Sequence, residues 1–183
     1  MTLRQLLELP WRWGNTRGFG VQSATDYSFI QDVVNERRPY YAYADLEERY
    51  PELSAAERKK GELFLRIANK TRPERAIVVH NKRKDAYEAY VAAGCRRCAF
   101  REEGATIIIS DAEEEHMPIL QDFIRNSPSG AVAIIDGIDG KEERRRWKAL
   151  AGEERAIIVY DLYSLGIINL DQSRYKEQYM LNF

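Results

Sequence analysis

From Pro73 onward the chain alternates two patterns, and that alternation limits its folds more than any other feature. Short apolar runs at 76–79, 105–109 (broken only by Thr106), 131–135 and 156–160 are separated by polar segments of helical period at 82–93, 112–126 and 141–151. A strand that is apolar on both sides must be covered on both sides, as in parallel sheets flanked by helices. The alternation therefore predicts βαβ units in one α/β sheet. Residues 98–100 are a weaker strand candidate. Runs 156–160 and 165–170 are joined by only a few residues, too few for a crossover, so this pair is predicted to be antiparallel. Residues 178–183 are a candidate edge strand.

The first 72 residues read differently, as a helical, aromatic-rich cap on the α/β unit 73–183. Trp11, Trp13, Phe19, Tyr27, Phe29, Tyr40, Tyr41, Tyr43 and Tyr50 crowd its first part, with three glycines in the loop 14–20. Helical spacing predicts a helix over 25–37 with Tyr27, Ile30 and Val34 on one face. A second short helix is expected over 41–50, after Pro39. Ser54 and Glu57 form a capping-box pair that opens a helix to about residue 69, with Leu63, Phe64, Ile67 and Ala68 as its apolar face.

Composition removes several classes. At 183 residues the chain is one domain's length and buries about 70% of its unfolded surface without disulfides or metal. Its 28 basic and 29 acidic residues leave a net charge of −1, which argues against nucleic-acid and anionic-membrane partners. Arg4 and Glu8 interrupt any signal-peptide core, and the apolar runs are far too short for a membrane span. A cytoplasmic location is the expectation, with Cys95 and Cys98 reduced.

Several residues carry candidate chemistry. Asp111 and Asp136 each close a predicted parallel strand, where ligands of open α/β sheets bind. With His80 and Asp139 they are candidates for one crevice, able to bind a metal or act as acid and base, and His80, Asn81, Asp111 and Asp136 are the positional candidates for holding a cofactor. The competing reading makes Asn81 and Asp111 helix N-caps and Asp136-Gly137 an ordinary turn. Lys82, Arg83 and Lys84 open the following helix, where basic groups oppose the dipole unless an anion is bound, so they are candidates for an anion or nucleotide site. Cys95-Arg-Arg-Cys98 leads into a strand, where i and i+3 side chains face opposite ways, which disfavours a bridge. Tyr40, Tyr41 and Tyr43, with Phe19 and Trp13, are either packing or a stacking platform. No metal site and no catalytic residue is assigned, and no Ser-His-Asp set, GxSxG or Walker loop is present.

Three segments resemble a bacterial family of class I S-adenosylmethionine-dependent methyltransferase-like proteins. Residues 17–23 through the Tyr40-Tyr41 pair are similar to that family's HGVHSPF-type opening. Residues 134–139, with Trp147 downstream, are similar to its late strand, Asp-Asp-Ile-His-type turn and Trp-bearing helix. Residues 157–168 through Phe183 are similar to its closing hairpin. The resemblance implies a Rossmann-like sheet and, in an intact member, S-adenosylmethionine as cofactor. This chain departs from the pattern where the cofactor would lie. The family's first strand ends in a glycine-rich loop, whereas no glycine occurs here between Gly61 and Gly94. Gly137 stands for an acidic residue and Asp139 for His, and about one βα unit is missing. The expectation is a shortened, non-catalytic member that binds no cofactor and serves as an interaction or regulatory module with a protein partner or a second copy. An altered-site methyltransferase and a small anion or nucleotide binder are the alternatives.

Overall fold

The computed structural model describes Val21 and residues 23–183. The glycine loop 14–20 and the aromatic residues Trp11, Trp13 and Phe19 lie outside the described residues. Helix α1 (Ala24–Phe29) starts at Ser23, whose Oγ accepts from the Asp26 N–H, and continues into a π-helical turn, Ile30–Val34. That turn widens the helix by one residue, so the predicted face is only partly right. Ile30 and Val34 are buried, but Tyr27 is 48% exposed and Asp26 points inward instead.

Helices α2 (Ala42–Arg49) and α3 (Ala55–Thr71) follow. The capping box at Ser54 and Glu57 forms in both directions, and α3 ends at Arg72, which is left-handed with φ 52°, just before Pro73. Tyr40 and Tyr43 pack against each other with ring centres 5.4 Å apart, in a cluster with Leu46, Leu53, Leu65 and Tyr90. They are packing residues, while Tyr41 is fully exposed.

The α/β part comprises β1 (Arg75–Val79), α4 (Lys84–Gly94), β2 (Ala99–Phe100), β3 (Ile107–Asp111), a 3-10 turn (Glu114–His116), α5 (Met117–Asn126), β4 (Val132–Asp136), α6 (Lys141–Gly152), β5 (Ile158–Asp161), β6 (Leu165–Asn169) and β7 (Glu177–Met180). The strands form one sheet in the order β2-β1-β3-β4-β6-β5-β7. Every neighbour pair is parallel except those made by β6, which is antiparallel to both β4 and β5. The fold is thus α/β, Rossmann-like and mostly parallel with a C-terminal antiparallel hairpin, as the alternation required. The predicted final edge strand forms and runs parallel to β5.

Alternate strand residues divide the core. Ile107, Ile109, Ile134 and Ile167 face the π-helical turn, α3 and α4 through Ile30, Phe64 and Tyr87. Ile108, Ile135 and Ile168 face α5 and α6 through Leu120, Phe123 and Trp147. Each such burial contributes about 1.5–3 kcal/mol. Gly166 in β6 is required by this packing, because a Cβ there would lie 2.4 Å from the Trp147 ring.

Three local expectations are corrected. Asn81 is not the cap of α4. Residues 81–83 form a turn and Arg83 takes the N-cap position without a side-chain bond. Asp111 does not cap a helix over 112–126 either. It ends β3, and α5 begins only at Met117 because Pro118 fits its first turn. Cys95 and Cys98 do not lie along a strand. They are the first and last residues of a reverse turn closed by Cys98 N–H to Cys95 C=O, 3.0 Å, with β2 starting at Ala99.

Candidate functional site

The carboxyl ends of β1, β3 and β4 carry His80, Asp111 and Asp136, and the structure brings the three together. Asp111 and Asp136 are direct register partners on adjacent parallel strands. Like charges so placed repel, and His80 lies between them. Its Nδ1 is 3.4 Å from Asp111 Oδ2 and its Nε2 is 3.4 Å from Asp136 Oδ2. The Lys82 N–H donates to Nδ1 at 3.2 Å, and the imidazole edge packs on Tyr87 with ring centres 5.1 Å apart.

Asp136 is buried and saturated. Oδ1 accepts from Lys60 Nζ at 2.5 Å and from the Gly137 N–H at 2.7 Å. Oδ2 accepts from the Tyr87 hydroxyl at 3.0 Å and faces His80. A carboxylate offers about four lone-pair sites, so a ligand donor must displace one of these partners. Burial alone would raise the Asp136 carboxyl, but His80 and Lys60 outweigh it and hold the group below its ordinary range. Burial, then the Asp136 charge, drives the Tyr87 phenol far upward, so it stays a donor. Gly137 has φ 72°, so the Asp136-Gly137 turn reading holds as well.

Asp111 is engaged in the same way. Oδ1 accepts from His116 Nδ1 at 2.5 Å and Oδ2 from the Asn81 N–H at 2.9 Å. The Asn81 side chain donates to Glu115 Oε1 at 2.7 Å. A chain of polar contacts, Lys60–Asp136–His80–Asp111–His116, therefore runs across three strand ends. Asp161 at the end of β5 repeats the arrangement, pairing with Arg144 at 2.5 Å and accepting from Trp147 Nε1 at 3.3 Å. Asp139 is exposed and joins none of this.

The basic run is dispersed. Arg83 pairs with Glu57 at 2.7 Å, and that pairing, with the Ser54 bonds, outweighs burial and brings the Glu57 carboxyl down to about 2. Lys84 lies 4.0 Å from Glu88, and Lys82 is exposed. Two clefts flank His80. One of about 430 Å³ is bounded by the end of β1, Phe100, Glu102 and His116. The other, about 420 Å³, is bounded by Tyr50, Glu52 and the 80–86 segment. Both have the size of small-ligand clefts. Among the described residues, no group of three or more His, Cys, Asp or Glu side chains is placed to hold a metal, and no helix is long and apolar enough to cross a membrane.

Three contributors escaped the sequence reading. Lys60 reaches the site from α3, and no short-range signal links it to Asp136. Tyr87 reads as an apolar helix residue. His116 follows Asp111 closely enough that a strand end plus one turn could have suggested the pair. A second buried cluster was also missed. Asp26, buried in α1, accepts from Nη1 and Nη2 of Arg174 at 2.7 and 2.6 Å and from the hydroxyls of Tyr160 and Tyr179 at 2.8 and 3.0 Å. It ties the first described helix to the last strand.

No family model and no curated protein matches this chain. Among solved structures it is similar to cofactor-bound Rv0187 from MTB, at 11% identity and TM-score 0.48, covering 80% of this chain and 95% of that one. It is also similar to an O-methyltransferase from Bacillus cereus in complex with SAH, at 11% identity and TM-score 0.48, covering 80% and 97%. The fold class stated above rests on the sheet topology.

Proposed function

We propose that this chain is a methyltransferase-like domain that works as an interaction or regulatory module and does not bind S-adenosylmethionine in the manner of an intact enzyme. One observation carries the reading: the acceptor sites of Asp136, and both oxygens of Asp111, are already taken by Lys60, Tyr87, His80, His116 and backbone N–H groups. The first-strand loop adds to it. Residues 80–83 carry side chains where a close backbone approach would need glycine, and the His80 ring lies between the Asp111 and Asp136 carboxylates. The residues present do not fit the cofactor.

Calorimetry with S-adenosylmethionine and S-adenosylhomocysteine tests this directly. No binding heat is expected, and micromolar affinity centred on residues 80–85 overturns the reading. A second reading is favoured by the 430 Å³ cleft, whose Phe100 wall and Glu102 carboxylate suit a small nucleoside. A thermal-shift panel of nucleotides, phosphate and both sulfonium-related nucleosides separates the two, since a ligand at a hundredfold excess over its Kd adds about 2.7 kcal/mol. Under the first reading the partner is a protein or a second copy, and light scattering reports the latter.

A further inference from the structure

We propose that Cys95 and Cys98 form a reversible turn-closing disulfide, making the α4–β2 turn a thiol-modification site. The reverse turn fixes the ends of Cys95-Arg-Arg-Cys98 by the 3.0 Å backbone bond. A turn of this kind holds its end Cα atoms within about 7 Å, the range in which a disulfide closes with little backbone movement. Cys95 belongs to a core cluster against which Cys98 also packs, so neither side chain is turned wholly to solvent. Both thiols are free.

The two cysteines differ in access. Cys95 is buried, with its Sγ 3.4 Å from the Pro73 carbonyl, while Cys98 is half-buried. Arg96 and Arg97 between them are exposed. Their charge favours an anionic reagent, and oxidised glutathione is the class of oxidant that fits. Burial, with the neighbouring Cys95, pushes the Cys98 thiol up to about 11, so the exchange is slow at neutral pH and accelerates in alkali. The Cys98 thiolate attacks one glutathione sulfur, forming a mixed disulfide and releasing one glutathione thiolate. The Cys95 thiolate then attacks the Cys98 sulfur, the internal S–S bond forms, and a second glutathione thiolate leaves. The two protons lost by the protein thiols end on the two released glutathiones.

The test is equilibration of the full chain in reduced and oxidised glutathione at pH 8, followed by alkylation and intact-mass measurement. The expected product has lost two hydrogens, takes no alkyl group and stays the size of one chain. Cys95→Ser is expected to stop at one glutathione adduct, and Cys98→Ser to form no internal bond. The proposal is overturned if the unsubstituted chain keeps two alkylatable thiols in pure oxidised glutathione, or accumulates a glutathione adduct without closing the bond. That measurement stands even if the variants fail to fold.

Discussion

Lys60 and Asp136 are 76 residues apart in the chain and 2.5 Å apart in the fold, with side chains only 14% and 8% exposed. The pair joins α3 of the cap to the end of β4 in the sheet. Removing Lys60 as Lys60→Met leaves a buried carboxylate without its cation, a change that costs about 3 kcal/mol in comparable pairs. Urea unfolding is expected to show that loss. The double variant Lys60→Met/Asp136→Asn, which removes both charges, is expected to recover part of it.

Acid is expected to weaken the protein through Asp26 and Asp136. Both carboxyls are held below their ordinary 3.8 in the folded chain, so the unfolded chain takes up protons more readily. Their stabilisation is complete above that value and disappears as pH falls through the folded values. Glu57 adds a share between 4.5 and about 2. Glu62 and Glu88, raised by burial, act in the opposite direction. Urea midpoints measured from pH 6 down to pH 2 should fall, with a shallower slope in Asp136→Asn.

Arg174→Met is expected to loosen the C-terminal strand. Asp26 is almost wholly buried and would keep only its hydroxyl partners. The expected loss is about 3 kcal/mol. Amide exchange should accelerate first in β7 and α1, the two elements that this clasp holds, before it does so in β3 and β4.

Gly166→Ala places a methyl 2.4 Å from the Trp147 ring. Overpacking of this kind costs about 1–3 kcal/mol. The indole also donates to Asp161, so the near-ultraviolet circular dichroism of Trp147 should change together with the unfolding midpoint.

The sheet was legible because β1, β3, β4 and β5 are apolar on both faces, a pattern few other folds tolerate. His80, Asp111 and Asp136 were legible as a group because strand ends in a parallel sheet share one rim. Their partners were not. The link from Lys60 to Asp136, like that from Arg174 to Asp26, is a product of tertiary packing, and neither lysine nor arginine announces its acceptor in sequence. The caps expected at Asn81 and Asp111 failed for a related reason. The Asn81 N–H and side chain are engaged across the crevice by Asp111 and Glu115, and the Asp111 oxygens by Asn81 and the His116 ring, instead of by the backbone of the helix that follows each. The π-helical turn at Ile30–Val34 leaves no mark in a 3.6-residue pattern, so Tyr27 was assigned to the wrong side.

Because only β6 is reversed, the final aspartates of β3, β4 and β5 share one lip of the sheet; Lys60 and Arg144 are the counterions of Asp136 and Asp161, and Asp111 is held by the His116 ring and the Asn81 N–H. An approaching molecule therefore meets a zwitterionic border with little long-range pull of either sign. Encounters at that border should depend only weakly on ionic strength, so shape rather than electrostatic steering would select what docks there.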